Sequence, residues 1–184
     1  MFDRHGADET IESLGLEGTN LMLARYWLSL WNGDSLPARS ALSPARIKEH
    51  LPSIIMFNVV PNESVIVRLA GTRYRHILGA ELTGKDWIAA ASERHRPARL
   101  GLFTTVVQGA ILLSHRLLSM SVGEDTICEE IVLPFTPEAN GVVPVLAHVN
   151  LPARDFLKIK SMAQAIADPI DFRIVPLPAL ARAA

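Results

Sequence analysis

Five strand-like runs, divided two and three by a long stretch of different character, constrain this chain more than any other feature of it. Residues 54–60 (IIMFNVV) and 64–70 (SVIVRLA) are rich in β-branched side chains and are joined by Pro61, Asn62 and Glu63, a hairpin signal. Residues 71–109 lose that character: glycines punctuate 71–87, and 92–109 read as a helix. Strand-like runs return at 110–122, 126–135 and 142–151, with Gly123-Glu124-Asp125 and Asn140-Gly141 as the turns between them. Two strands, a helical crossover and three strands predict an α+β fold: one five-stranded antiparallel sheet with the crossover on one face.

Alternation extends the argument. Val143, Val145, Ala147 and Val149 share one face of the last strand, leaving His148 and Asn150 on the other. In the first strand Ile54, Met56 and Val60 oppose Ile55, Phe57 and Val59, so both sides of the sheet need cover. Residues 19–32 read as an N-terminal amphipathic helix, capped by Thr19 and ended by Gly33. Its Trp27 and Trp31, four residues apart, make it the natural cover for the second face. Its apolar positions exceed the ~100° stripe that one core requires. The surplus predicts a homodimer interface through Met22, Leu23, Tyr26, Trp27, Leu30 and Trp31, since aromatic residues are enriched at such surfaces.

The chain then divides into a flexible acidic arm (1–18), the helix with its linker (19–53), the core (54–151) and a helical then extended tail (152–184). In the arm Asp3, Asp8, Glu9, Glu12 and Glu17 face only Arg4. In the linker Ser43-Pro44 opens a short helix running to about Leu51. The proline-punctuated tail is expected to lie on the sheet or on a partner.

Charge excludes one function class. With 18 basic against 19 acidic residues the net charge is −1, and the basic field a nucleic-acid binder uses is missing. No apolar run approaches the ~18 residues of a membrane helix, so no membrane insertion is expected. The single cysteine, Cys128, leaves no intrachain disulfide and no cysteine-based zinc site. The acidic, glycine-broken N-terminus is unlike a signal peptide, which makes a cytoplasmic location the expectation.

Several segments come close to known chemistry without reaching it. Residues 79–86 (GAELTGKD) approximate a phosphate-binding loop, but Asp86 stands where a hydroxyl would hold magnesium. Cys128 adjoins Glu129 and Glu130, whose charges oppose a reactive thiolate. Those two glutamates point to opposite faces of a strand, so they form no carboxylate dyad. The histidines at 5, 50, 76, 95, 115 and 148 show no metal or haem spacing. Arg94, Arg96 and Arg99 read as a solvated helix start.

The segments Tyr26-Trp27, Leu36-Pro37-Ala38-Arg39, Pro44 and Leu51-Pro52, followed by Arg68-Leu69-Ala70-Gly71-Thr72 and Gly79-Ala80-Glu81-Leu82-Thr83-Gly84, resemble a PAS-domain family of short stand-alone bacterial proteins, best known from alphaproteobacteria. The resemblance covers roughly residues 20–150. It implies a PAS-like fold and a non-enzymatic sensory or regulatory role, exercised by binding an unidentified signalling partner, a small ligand of unknown identity, or both, with no cofactor specified. Pocket residues would be Val65, Val67, Arg68, Tyr74, His76, Ile77 and Trp87. Read from the residues alone, Gly71, Gly79 and Gly84 supply positive φ at sharp turns. The alternative is a small cone-fold isomerase or dehydratase with His115 and His148 as bases, against which no Asp–His pair can be placed by spacing.

Overall fold

The computed structural model describes residues 4–31, 35–119, 125–150 and 171–177. The β-branched runs form β1 (Ile54–Val60) and β2 (Ser64–Ala70), and Asn62 turns the hairpin between them in the left-handed region (φ 61°). After the crossover come β3 (Ala110–Leu118), β4 (Thr126–Pro134) and β5 (Val143–Val149). The tail adds β6 (Asp171–Pro176) at the far edge. Strand order is β2-β1-β5-β4-β3-β6, and every neighbouring pair is antiparallel. The α+β architecture is the expected one with a sixth strand: the tail lies on the sheet, beside β3. The stretch expected to be helical at 152–167 lies outside the described residues, as do Gly33 and the Gly123-Glu124 turn.

The crossover opens with α3 (Thr72–Leu78), which Gly79 ends in the left-handed conformation (φ 67°). It closes with α4 (Arg96–Val107) packed over the sheet. Between them the backbone is stitched to the outer edge of β2. Gly84 N–H donates to Val67 O (2.7 Å), Val67 N–H to Lys85 O (2.9 Å) and Trp87 N–H to Val65 O (2.8 Å). Gly71 departs from expectation, because its φ is −62°. It is glycine for lack of room: a Cβ there would stand 2.2 Å from the Leu51 carbonyl oxygen.

Each face of the sheet carries its own core. On the crossover face Phe57 meets Phe103 edge-on, with ring centroids 5.2 Å apart, and tilts against Trp87. On the other face α2 (Gly18–Ser29) lays Leu23 and Trp27, and Trp31 just after it, over Ile54, Met56, Ile131, Leu133 and Leu146. The Trp27 indole donates to Pro134 O at 2.8 Å, and Trp31 meets its ring edge-on at 5.3 Å.

Three expectations for the N-terminal region are corrected. Residues 4–13 form a helix, α1 (Arg4–Ser13), rather than a flexible arm, with Ala7 and Ile11 fully buried and Leu14 close behind. Those residues recur at i, i+4 and i+7, an apolar stripe that the acidic average conceals. The arm is also tied down by the Glu12–Arg25 ion pair to α2. Thr19 is not a cap, since α2 begins at Gly18 after Glu17 and no side chain caps it. The short helix expected from Ser43-Pro44 to Leu51 is broken into 3₁₀ turns at Pro44–Ile47 and Leu51–Ser53.

Candidate functional site

Alternation along β3 and β4 carries charge into the crossover core. Ser114 and Arg116 share the face of Leu112 and Leu118, and Glu130 shares that of Cys128 and Val132. Glu130 Oε2 accepts from Ser114 Oγ (2.6 Å), Arg116 Nε (2.7 Å) and Arg116 Nη2 (2.6 Å). All three residues are buried, and Arg99 of α4 is buried beside them, close enough to act on Glu130 electrostatically. Burial by itself pushes the Glu130 carboxyl up. The Arg116 and Arg99 guanidiniums and the Ser114 hydrogen bond outweigh it and hold the group below the usual carboxylate range. Tyr74 of α3 faces the same cluster, its phenol pushed well up by burial and then by the Glu130 charge. Burial also raises the Cys128 thiol, to about 11. That sulfur is an inert packing group.

The opposite face carries a chain of polar side chains, hydrogen-bonded except for one step of 3.9 Å. His148 Nδ1 donates to Asn20 Oδ1 of α2 at 2.7 Å, and Asn20 Nδ2 donates to Glu129 Oε1. Glu129 Oε2 lies 3.9 Å from His115 Nε2, and His115 Nδ1 lies 2.7 Å from Asp171 Oδ1 on β6. The chain thus runs from a buried imidazole under α2 to an exposed carboxylate at the sheet edge. Burial, with the nearby His50 and Arg73 charges adding to it, pulls His148 down to about 4, so it is a neutral imidazole at neutral pH.

Residues 17–149, most of the chain, match the family model described as PAS domain. The chain belongs to the PAS-domain family. No curated protein matches it.

The PAS crossover core takes in five of the seven residues named for a pocket. Val65, Val67, Tyr74 and Trp87 are buried there together with Ile77. Two are not brought in. Arg68 lies exposed at the end of β2 and His76 on the outer side of α3, because α3 presents Tyr74 and Ile77 inward and turns position 76 to solvent. The six residues assigned to a dimer surface also divide. Leu23, Trp27 and Trp31 are spent on the chain's own sheet, while Met22, Tyr26 and Leu30 are half-buried. Covering the second sheet face, as expected of this helix, takes up Leu23, Trp27 and Trp31, three of the residues whose surplus had pointed to a partner. Arg99, read as part of a solvated helix start, is 1% exposed.

The alternative histidines do lie on one face, and His115 does gain an aspartate, Asp171, from a strand too far along the chain for spacing to reveal. They do not converge on a common cavity. A cleft of about 170 Å³ holds His115, Glu129, Asp171 and Arg173, whereas His148 is sealed beneath α2. The near-miss loop at 79–86 is closed on itself: Glu81 Oε1 accepts from the Leu82 and Thr83 amides and the Thr83 hydroxyl, and Asp86 Oδ1 from the Ile88 amide. Its amides already hold the chain's own carboxylates. Among the described residues no group of His, Cys, Asp and Glu could hold a metal ion, and no helix is long and apolar enough to cross a membrane.

Ser114, Arg116, Glu130 and Asn20 were given no site role in the sequence reading, although Glu130 was named there. A signal for the first three was present. Counting by twos from Leu112 and Val132 places Ser114, Arg116 and Glu130 on the inward face, whatever their polarity.

Proposed function

We propose that this PAS domain is a non-enzymatic regulatory module. A small polar ligand in the crossover core is sensed by the Glu130–Arg116–Ser114 cluster, and the change is passed through the sheet to the N-terminal helices, which contact a protein partner. One observation carries this reading: adjacent carboxylates of β4 serve opposite faces. Glu130 sits in the crossover core on Arg116, and Glu129 holds Asn20 of α2 on the other side. A shift of β4 that improves one set of bonds strains the other. A ligand moves such an equilibrium only by binding the two arrangements unequally. Such a ligand would exchange hydrogen bonds with a carboxylate and a guanidinium group, beside the apolar side chains of Val65, Val67, Tyr74 and Trp87.

Native mass spectrometry of the purified chain tests the ligand, which should appear as a bound mass that Glu130→Gln loses. Hydrogen exchange tests the coupling. Glu130→Gln should speed exchange of α2 amides, although that residue lies on the far side of the sheet. Unchanged α2 exchange would remove the coupling and leave the cluster a purely structural feature.

A further inference from the structure

The two edges of the sheet are finished differently. At β2 the crossover closes the edge, with the bonds from Gly84, Lys85 and Trp87 taking up its backbone groups. At β6 the edge is open: among the described residues β6 pairs only with β3, and Phe172 on it is 50% exposed. An unpaired edge is a template for another strand.

Register fixes which groups face outward. Leu177 N–H bonds Gly109 O, so the Gly109–Leu177 pair is a hydrogen-bonded one and the pairs alternate from there along the ladder. Val175, Arg173 and Asp171 therefore turn their backbone groups to β3. Phe172, Ile174 and Pro176 turn theirs to the open edge, and Pro176, which has no N–H, blunts one end of it.

We infer that β6 pairs with β6 of a second copy of this chain, antiparallel and centred on Phe172, making one continuous sheet through a homodimer. A twofold axis perpendicular to the sheet pairs residues of the same face, so the strands must be centred on a residue. Centring on Arg173 sets two guanidiniums opposite each other. Centring on Ile174 sets Phe172 opposite Pro176 and forfeits a hydrogen bond at both ends. Centring on Phe172 sets Asp171 opposite Arg173 in both directions, two opposite-charge cross-strand pairs flanking a Phe172–Phe172 contact. A twofold interface must be self-complementary. The run Asp171-Phe172-Arg173 meets that requirement. This inference stands apart from the regulatory reading above and does not rest on it.

Sedimentation of the full-length chain over a dilution series is the test, with circular dichroism confirming the fold of each variant. The parent sediments as a dimer that dissociates on dilution. Asp171→Arg and Arg173→Asp each weaken association by roughly tenfold or more, since either change sets like charges opposite one another twice. The double exchange, Asp171→Arg with Arg173→Asp, restores it, which loss of the Asp171–His115 or Arg173–Leu14 contacts alone would not do. Phe172→Cys adds an independent reading. Directly paired strand residues stand about 5.5 Å apart at Cα, within reach of a disulfide, so mild oxidation yields a covalent dimer. A parent that stays monomeric, a dimer indifferent to the single reversals, a double exchange that fails to restore it, or a Phe172→Cys chain that does not cross-link would each overturn the inference.

Discussion

The two cores of this molecule use the same strands and differ in what they bury. The face under α1 and α2 is closed by Ile11, Leu23, Trp27 and Trp31, with Asn20 and His148 bonded to each other within it. The face under the crossover is as well supplied with aliphatic and aromatic side chains, yet it contains a buried Arg116–Glu130 ion pair. Burying charge costs several kcal/mol per ion, and replacing such a pair with apolar residues is often neutral or stabilising (order-of-magnitude figures). The outer core is built to hold the N-terminal layer down. The inner one carries a feature that stability alone does not ask for, which is why we place the sensing function there.

Truncation is the strongest way to break that comparison. Trp27→Ala removes one of the two tryptophans of the outer core and its bond to Pro134, and should cost about 4 kcal/mol in urea unfolding. Its sedimentation should match that of the parent at concentrations where both are folded, because Trp27 faces the sheet and not a partner. A monomeric but folded Trp27→Ala chain would return α2 to the dimer interface. On the other face, Glu130→Ala removes the carboxylate that the buried Arg116 guanidinium bonds and should cost about 3–4 kcal/mol. The double change Arg116→Met with Glu130→Leu should recover most of that loss. If the double variant were as unstable as Glu130→Ala, the ion pair would be a structural necessity and the contrast between the cores would disappear.

The five-strand framework and its helical cover were readable in the sequence because their signals are local. The hairpin at 61–63, the loss of strand character after Ala70, and the alternation of β5 each sit within one run of residues. So does the pairing of Trp27 with Trp31 on one helical face. What stayed hidden depends on elements remote along the chain. Asp171 meets His115 only because β6 returns to β3, and Asn20 meets Glu129 and His148 only because α2 folds across β4 and β5. The acidic arm misled for a different reason: composition averages over a helix, whereas burial follows the stripe of Ala7, Ile11 and Leu14. Glu129 and Glu130 lie between these cases. Their opposite facing was legible, and which of them entered the core was settled by the parity of Val132 and Cys128.

Acid should expose the outer core before the inner one. The unfolded chain's His148 takes a proton near 6.5 and the folded chain's only near 4. Between those values the unfolded state binds more protons, so stability rises with pH and is lost as pH falls from about 6.5 toward 4. For a shift of this size the loss is about 3 kcal/mol. His148→Asn, which keeps a donor toward Asn20, should flatten chemical-unfolding curves taken across that window. Retention of the parent's slope would assign it to other groups. The Glu130 carboxyl is lowered as well, by the Arg116 and Arg99 charges rather than by burial, so the stability it contributes is lost in a more acidic window, as pH falls from the ordinary carboxylate range through its lower folded value. The two faces are therefore separable by titration.

The smallest effect tests the link between the cores most directly. Asn20→Ala removes one side chain that bonds both His148 and Glu129, leaving a buried imidazole N–H without its acceptor at a cost of about 1–2 kcal/mol. Exchange in α2 should rise first, as local opening requires. If β4 transmits between the faces, Asn20→Ala and Glu130→Gln should be non-additive in α2 exchange, although their side chains lie on opposite sides of the sheet. Independent sites usually add to within about 0.3–0.5 kcal/mol. Additive effects would mean that the sheet insulates the two cores, and regulation would then have to reach the N-terminal helices around the edge of the sheet.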